Sequence, residues 1–224
     1  MKIDEFTFVI VSFRSENTIF NCLNNLPKDS KKIIIENSNN INLQLSLKSK
    51  YENLECYLMN ENVGYGKGNN FGARKTSTKY IFILNPDVEL KENTLQNLIT
   101  ILKDEKFSIA APYDKREKGI NFNGKSLLEV DELKGFAMII KTSDLRENPF
   151  DENFFLYLEE IDLCDRLKKK GGRLLLINEE VDHLGGFSHG DRDDLEMEMS
   201  RNWHWMWSKF YYNKKKKVTL LVLL

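Results

Sequence analysis

A chain of 224 residues is long enough for one α/β domain with a full core and too short for two of ordinary size, and its 33 basic against 34 acidic side chains leave a net charge of −1, which offers nucleic acid no overall attracting field. Cys22, Cys56 and Cys164 are odd in number, far apart and without CxxC spacing, so they read as reduced thiols of a cytoplasmic protein, not as a disulfide frame or a zinc site. The start Met1-Lys2-Ile3-Asp4-Glu5 carries acids where a signal peptide carries positive charge, and no apolar stretch approaches the roughly 20 residues of a membrane span.

Phe6 to Phe13 is β-branched and aromatic, which predicts a strand. Ser15 then stands as an N-cap ahead of Ile19, Leu23 and Leu26 on one helical face. The alternation repeats: a strand at Lys32 to Glu36, a helix at Leu43 to Tyr51, a strand at Leu54 to Met59, a helix at Gly68 to Thr76 and a strand at Tyr80 to Leu84. This pitch implies a parallel sheet with helices on both faces. A helix carrying Leu95, Leu98, Ile99 and Leu102 follows, then a strand at Phe107 to Ala111. Asp114 to Glu132 is polar and glycine-containing, a hairpin or an acceptor-side loop. Strand character resumes at Gly135 to Ile140, Tyr157 to Lys170 reads as a helix stopped by Gly171-Gly172, and Arg173 to Ile177 as a strand.

The buried run Ile81-Phe82-Ile83-Leu84 ends at Asn85-Pro86-Asp87. It would deliver a carboxylate to the C-terminal edge of the sheet, where open α/β sheets bind ligands; the plainer reading is a turn acid or helix cap. Asp87 suits a cation or diphosphate. Glu159, Glu160 and Asp162 fall in the first turn of a predicted helix entered through Phe154-Phe155-Leu156-Tyr157; they are either a solvated acidic start or desolvated acids poised to take a proton. His183, in a glycine-flanked segment with Gly186, Ser188 and His189, is an ordinary histidine or a metal or diphosphate ligand. Gly64, Gly66 and Gly68 miss the third glycine of the dinucleotide fingerprint, which falls on Asn69, and no GxxxxGK[ST] exists; nicotinamide and P-loop chemistry are excluded on spacing.

Together these segments resemble glycosyltransferase family 2, in particular its bacterial rhamnosyltransferase-like branch, from Phe6 to Tyr212. The resemblance is carried by Val9-Ile10-Val11-Ser12-Phe13, Glu36-Asn37-Ser38, Asn62-Val63-Gly64-Tyr65-Gly66, Asn69-Asn70-Phe71-Gly72, Leu84 to Val88, Gly135 to Met138, Phe154 to Arg166, and His183 with Gly185-Gly186 and Ser188. It implies a GT-A fold, a Rossmann-like sandwich with a mostly parallel central sheet, spanning 1–212, with 213–224 a basic and apolar tail.

The resemblance further implies an inverting transfer from a nucleotide-sugar donor to a glycan or lipid-linked acceptor in surface polysaccharide synthesis. Ser12, Glu36, Asn62, Gly64, Asn69, Asn85 and Asp87 would bind the donor, Glu36 at the nucleobase. Asp87 and His183 would hold a divalent cation, Mg²⁺ or Mn²⁺. Glu160 would be the acceptor base, with Glu159 and Asp162 beside it. Glu36 and Glu160 are one methylene longer than the Asp often found there, and Asn85 replaces the first acid of a DxD motif. The alternatives are a nucleotidyltransferase, against which the glycine-free Val11 to Glu16 speaks, and a sugar-nucleotide-binding module without turnover.

Trp203, Trp205, Trp207, Phe210, Tyr211 and Tyr212 lead into Lys214 to Lys217 and an apolar end. Trp203, Trp207 and Phe210 share one side of a helix. They either pack a terminal helix onto the domain or form a partner-binding or membrane-surface element, the latter a peripheral contact with the inner face of the cytoplasmic membrane.

Overall fold

The computed structural model describes residues 1–185 and 195–222, with side chains to residue 217. The sequence expectations at Gly186, Ser188 and His189 lie outside the described residues. Strands β1 (Phe6–Ser12), β2 (Lys31–Glu36), β3 (Leu54–Leu58) and β4 (Tyr80–Leu84) alternate with helices α1 (Ile19–Asn24), α2 (Ile41–Lys50) and α3 (Tyr65–Lys75). They form the parallel body of the sheet in the order β3-β2-β1-β4. Then come β5 (Val88–Glu89), α4 (Thr94–Leu102), β6 (Ile109–Asp114), β7 (Leu127–Glu129), β8 (Ala137–Lys141), α5 (Thr142–Glu147), α6 (Glu159–Lys169), β9 (Leu174–His183) and α7 (Leu195–Val222).

Because strand side chains alternate in direction, β1 feeds two cores. Phe6, Phe8 and Ile10 pack with Leu23, Leu47, Leu98 and Leu102 from α1, α2 and α4 on one side. Val9 packs with Ala73, Leu145, Leu163 and Leu167 from α3, α5 and α6 on the other. Both faces are therefore covered, which is why the strands read as continuous apolar runs. The three thiols are buried within these layers, and burial pushes Cys56 and Cys164 up to about 12, so they are inert at neutral pH.

Four features depart from the sequence reading. β8 runs antiparallel between β4 and β6, and it sets Ala137 opposite Leu84, so Phe136 lies at the ligand edge. The polar stretch after Asp114 is irregular as far as Ser126, and β7 then returns to pair antiparallel with β9 rather than with a neighbouring strand of a hairpin. α1 begins after Thr18; Ser15 instead accepts a hydrogen bond from the Phe13 N–H at 3.2 Å and closes the turn before the helix. The expected boundary after Tyr212 falls inside α7, which runs unbroken to Val222.

Candidate active site

Asn85-Pro86-Asp87-Val88 is a β-turn with proline at its second position, closed by the Val88 N–H donating to the Asn85 carbonyl at 3.1 Å. The Asn85 N–H donates to the Phe136 carbonyl at 2.8 Å, which ties this turn to β8. Asp87 is 2 % exposed, and neither carboxylate oxygen has a hydrogen-bond partner among the described residues. Pairing of β5 with the end of β9 sets Val88 opposite His183. The imidazole Nε2 thereby comes to 3.5 Å from Asp87 Oδ1, and Nδ1 to 3.4 Å from Asp114 Oδ2. The Phe136 ring stacks on this imidazole at 4.6 Å.

Asp114 is a carboxylate that sequence reasoning missed, although it closes β6 much as Asp87 follows β4. Burial opposes its charge, but Arg116, with Nη2 at 2.5 Å, holds its carboxyl below the usual range. Arg116 also donates to the Leu184 carbonyl at 2.8 Å, which anchors the chain just past His183. Magnesium-type cations take one or two protein ligands and fill the remaining positions from phosphate and water. A buried carboxylate with two unpartnered oxygens beside an imidazole fits that donor set. No cluster of three or more metal-ligating side chains occurs among the described residues.

The donor-side residues gather at the same edge. Ser12 Oγ, Asn37 Oδ1, Asn69 Oδ1 and Glu159 Oε2 are, like Asp87, buried without a hydrogen-bond partner among the described residues. Glu36 is committed differently. Its carboxylate accepts from the Ser38 N–H at 3.0 Å, the Ser38 hydroxyl at 2.6 Å and the Asn40 N–H at 2.6 Å, so it shapes the turn that carries Asn37. Asn62 Oδ1 accepts from the Gly64 N–H at 3.0 Å and Asn37 donates to the Gly64 carbonyl at 3.3 Å. Gly64 has φ +81°, and a Cβ there would stand 2.4 Å from the Phe155 carbonyl oxygen. Only glycine allows this approach.

The three acids predicted as one group separate. Tyr157 and Leu158 both adopt left-handed backbone, φ +72° and +67°, and α6 starts only at Glu159. Glu159 is buried, and burial together with Glu160 pushes its carboxyl well above the usual range. Glu160 stays partly exposed near Gly135, and burial raises its carboxyl too. Asp162 is engaged elsewhere, accepting from Arg166 Nε at 2.8 Å and pairing with Lys215 Nζ at 2.6 Å.

A cleft of about 480 Å³ lies at this edge, lined by Asn37, Asn62, Asn85 and His183 and closed on one side by Arg201 and His204 of α7; Asp87, Glu159 and Glu160 are not among the residues that line it. His204 stacks on Phe155 at 4.2 Å, Arg201 Nε donates to the Tyr157 hydroxyl at 3.0 Å, and the Ser208 hydroxyl donates to the Leu156 carbonyl at 2.8 Å. No local sequence signal joins these residues to the cleft, because they arrive from a helix distant along the chain.

The chain is 26% identical over 195 residues to the low-salt glycan biosynthesis hexosyltransferase Agl10 of Haloferax volcanii, covering 75% of this chain and 63% of the relative. It is 26% identical over 250 residues to the rhamnosyltransferase WbbL of Escherichia coli K12, covering 94% of this chain and 93% of the relative. Among solved structures, Staphylococcus aureus TarS 1-349 in complex with UDP superposes with a TM-score of 0.62 at 16% identity, over 79% of this chain and 59% of that one. GalNAc-T7 with UDP, GalNAc and Mn²⁺ superposes with a TM-score of 0.64 at 14% identity, over 80% of this chain and 43% of that one. These likenesses establish the GT-A-type fold, and since the family profile of glycosyl transferase family 2 matches residues 7–162, more than half of the chain, the protein belongs to that family.

Proposed function

We propose that the protein transfers a sugar, with inversion, from a nucleotide-diphosphate donor to a hydroxyl of a lipid-linked or polysaccharide acceptor in glycan synthesis. The observation that carries this reading is Asp87, a buried carboxylate with two unpartnered oxygens at a strand end, 3.5 Å from His183. Burying an ionisable group unpaired is unfavourable, and a bound cation and diphosphate would supply the missing partners. Asp87 and His183 are the residues to hold a divalent cation, Mg²⁺ or Mn²⁺. Such a cation would neutralise charge on the departing diphosphate.

The chain's own residues do the rest. Ser12, Asn37, Asn62, Gly64 and Asn69 frame the donor, and Glu36 holds the turn beside them. Glu160 is the acid that is neither fully buried, like Glu159, nor bound to a lysine, like Asp162. It takes the acceptor proton as the hydroxyl oxygen bonds to the anomeric carbon; the bond to the diphosphate oxygen breaks and its electron pair leaves with the diphosphate. One displacement inverts the centre. That the bacterial relative WbbL is a rhamnosyltransferase and TarS binds UDP supports a deoxyhexose or hexose donor.

A panel of nucleotide sugars, assayed for donor hydrolysis and transfer with and without Mn²⁺, tests the reading. Turnover of a nucleotide sugar is expected. Binding without turnover would favour a non-catalytic module, and pyrophosphate release from a nucleoside triphosphate a nucleotidyltransferase.

A further inference from the structure

α7 carries two opposed faces. Arg201, His204, Ser208, Tyr211 and Lys215, three or four residues apart, meet the body of the protein. On the opposite side Met199, Trp203, Met206 and Phe210 repeat at the same spacing and are 65, 61, 60 and 60% exposed. Trp207 lies beside them, 43% exposed. Continued by the same steps of four and three, the stripe passes into Lys214 and Lys217, both exposed. Scattered exposed apolar residues need no explanation, but a continuous helical stripe of methionine and aromatic rings does.

We propose that this stripe docks the protein on an anionic lipid bilayer, with α7 lying in the plane of the headgroups. Charge decides for lipid. From Met199 onward the sequence contains no acid; Lys215 and Lys216 pair with Asp151, Asp162 and Asp165 of the body, while Lys209, Lys214 and Lys217 are cationic and exposed. Tryptophan and phenylalanine favour the boundary between acyl chains and headgroups, and lysines at the end of such a stripe reach anionic phosphates. No helix among the described residues is long and apolar enough to cross a membrane. The inner face of the same helix lines the cleft. Docking would hold the active site at the surface from which a lipid-borne acceptor is presented; this consequence rests on the transfer reading above, whereas the docking itself does not.

The chain's three tryptophans, Trp203, Trp205 and Trp207, all lie in α7, so indole emission reports on this helix alone. The full chain is titrated with vesicles of phosphatidylcholine alone and of phosphatidylcholine mixed with phosphatidylglycerol, reading emission and co-sedimentation. A blue shift and sedimentation with the mixed vesicles, weakened by salt, are expected. Lys214→Ala with Lys217→Ala should lower the partition coefficient about twenty-five-fold at low salt, some fivefold per lysine. Trp203→Ser with Phe210→Ser should abolish it, with circular dichroism and melting unchanged.

Failure of the unaltered chain to bind the mixed vesicles, or equal binding by the variants, overturns the proposal. So does a concentration-dependent dimer, dissolved by Phe210→Ser, in a protein that ignores vesicles, because the stripe would then be covered by a second copy. Transfer to a soluble acceptor is assayed separately. Partition without turnover upholds docking and sinks the transfer reading; turnover without partition does the reverse.

Discussion

Asp87 is costly where it stands. Its carboxylate is buried with no hydrogen-bond partner among the described residues and with the His183 imidazole 3.5 Å away, and burying a carboxylate without hydrogen bonds is unfavourable. Asp87→Asn keeps the shape and removes the charge, so the melting temperature should stay level or rise while transfer is lost, together with the Mn²⁺-dependent stabilisation by a nucleoside diphosphate. Near-normal turnover in that variant, with metal still required, would refute the assignment. Glu160 lends itself to a pH test. Burial raises its carboxyl above the ordinary range, and a base works only when deprotonated, so kcat should climb with pH along a limb displaced upward from that of a free glutamate. Because Glu159 is raised beside it, the limb belongs to the pair and not to one residue. Glu160→Gln should lower kcat by a factor of about 10²–10⁴ and remove the limb, with donor affinity kept; greater damage from Asp162→Asn, despite its pairing with Lys215, would move the base.

At the scale of the element, α3 shows how a helix is placed to serve a site. A Cβ on Gly72 would fall 2.4 Å from Val9 Cγ1, so the bare backbone lets α3 settle closely on β1 and brings its N-terminal turn, with Gly64 and Tyr65, to the cleft. Gly72→Ala should therefore cost about 1–3 kcal/mol by overpacking, read as a shift in urea midpoint, and adding Val9→Ala should recover part of it. The first four strands were legible in the sequence because each is a short, mostly apolar run, β-branched or aromatic in β1, β2 and β4, set between turn or helix signals, and Asp87 because its strand ends abruptly at Asn85-Pro86. β8 was legible as a strand at Gly135 to Ile140, but its antiparallel direction and the length of β9 were not. Their pairings, Ile83 with Met138 and Asp114 with Val181, join residues far apart in sequence, and periodicity carries no information on partner or direction. The same limit hid Asp114 and Arg116, which reach His183 only through the parallel pairing of β6 with β9. It also hid the commitment of Asp162 to α7, since spacing within a helix start cannot say which way each acid turns.

Across the whole molecule, α7 joins the two ends of the site. The sequence suggested either a packed terminal helix or a membrane-facing one, and the helix does pack on the body, but with Trp203, Trp207 and Phe210 turned outward. Its inner face grips the segment entering α6: His204 on Phe155, Ser208 on the Leu156 carbonyl and Arg201 on Tyr157. That segment contains consecutive left-handed residues, Tyr157 and Leu158, a conformation that costs on the order of 1–3 kcal/mol per residue and persists only when its surroundings enforce it. The grip therefore bears on how Glu159 and Glu160 are presented. Ser208→Ala removes one buried hydrogen bond, which should lower stability by about 1 kcal/mol. If α7 also orients the acids, kcat on a soluble acceptor should fall several-fold as well, with the donor dissociation constant changed less. Trp203→Ser, on the outer face, should leave kcat on that acceptor unaltered. Equal kinetic effects from the two substitutions would show that α7 acts on the site only through overall stability.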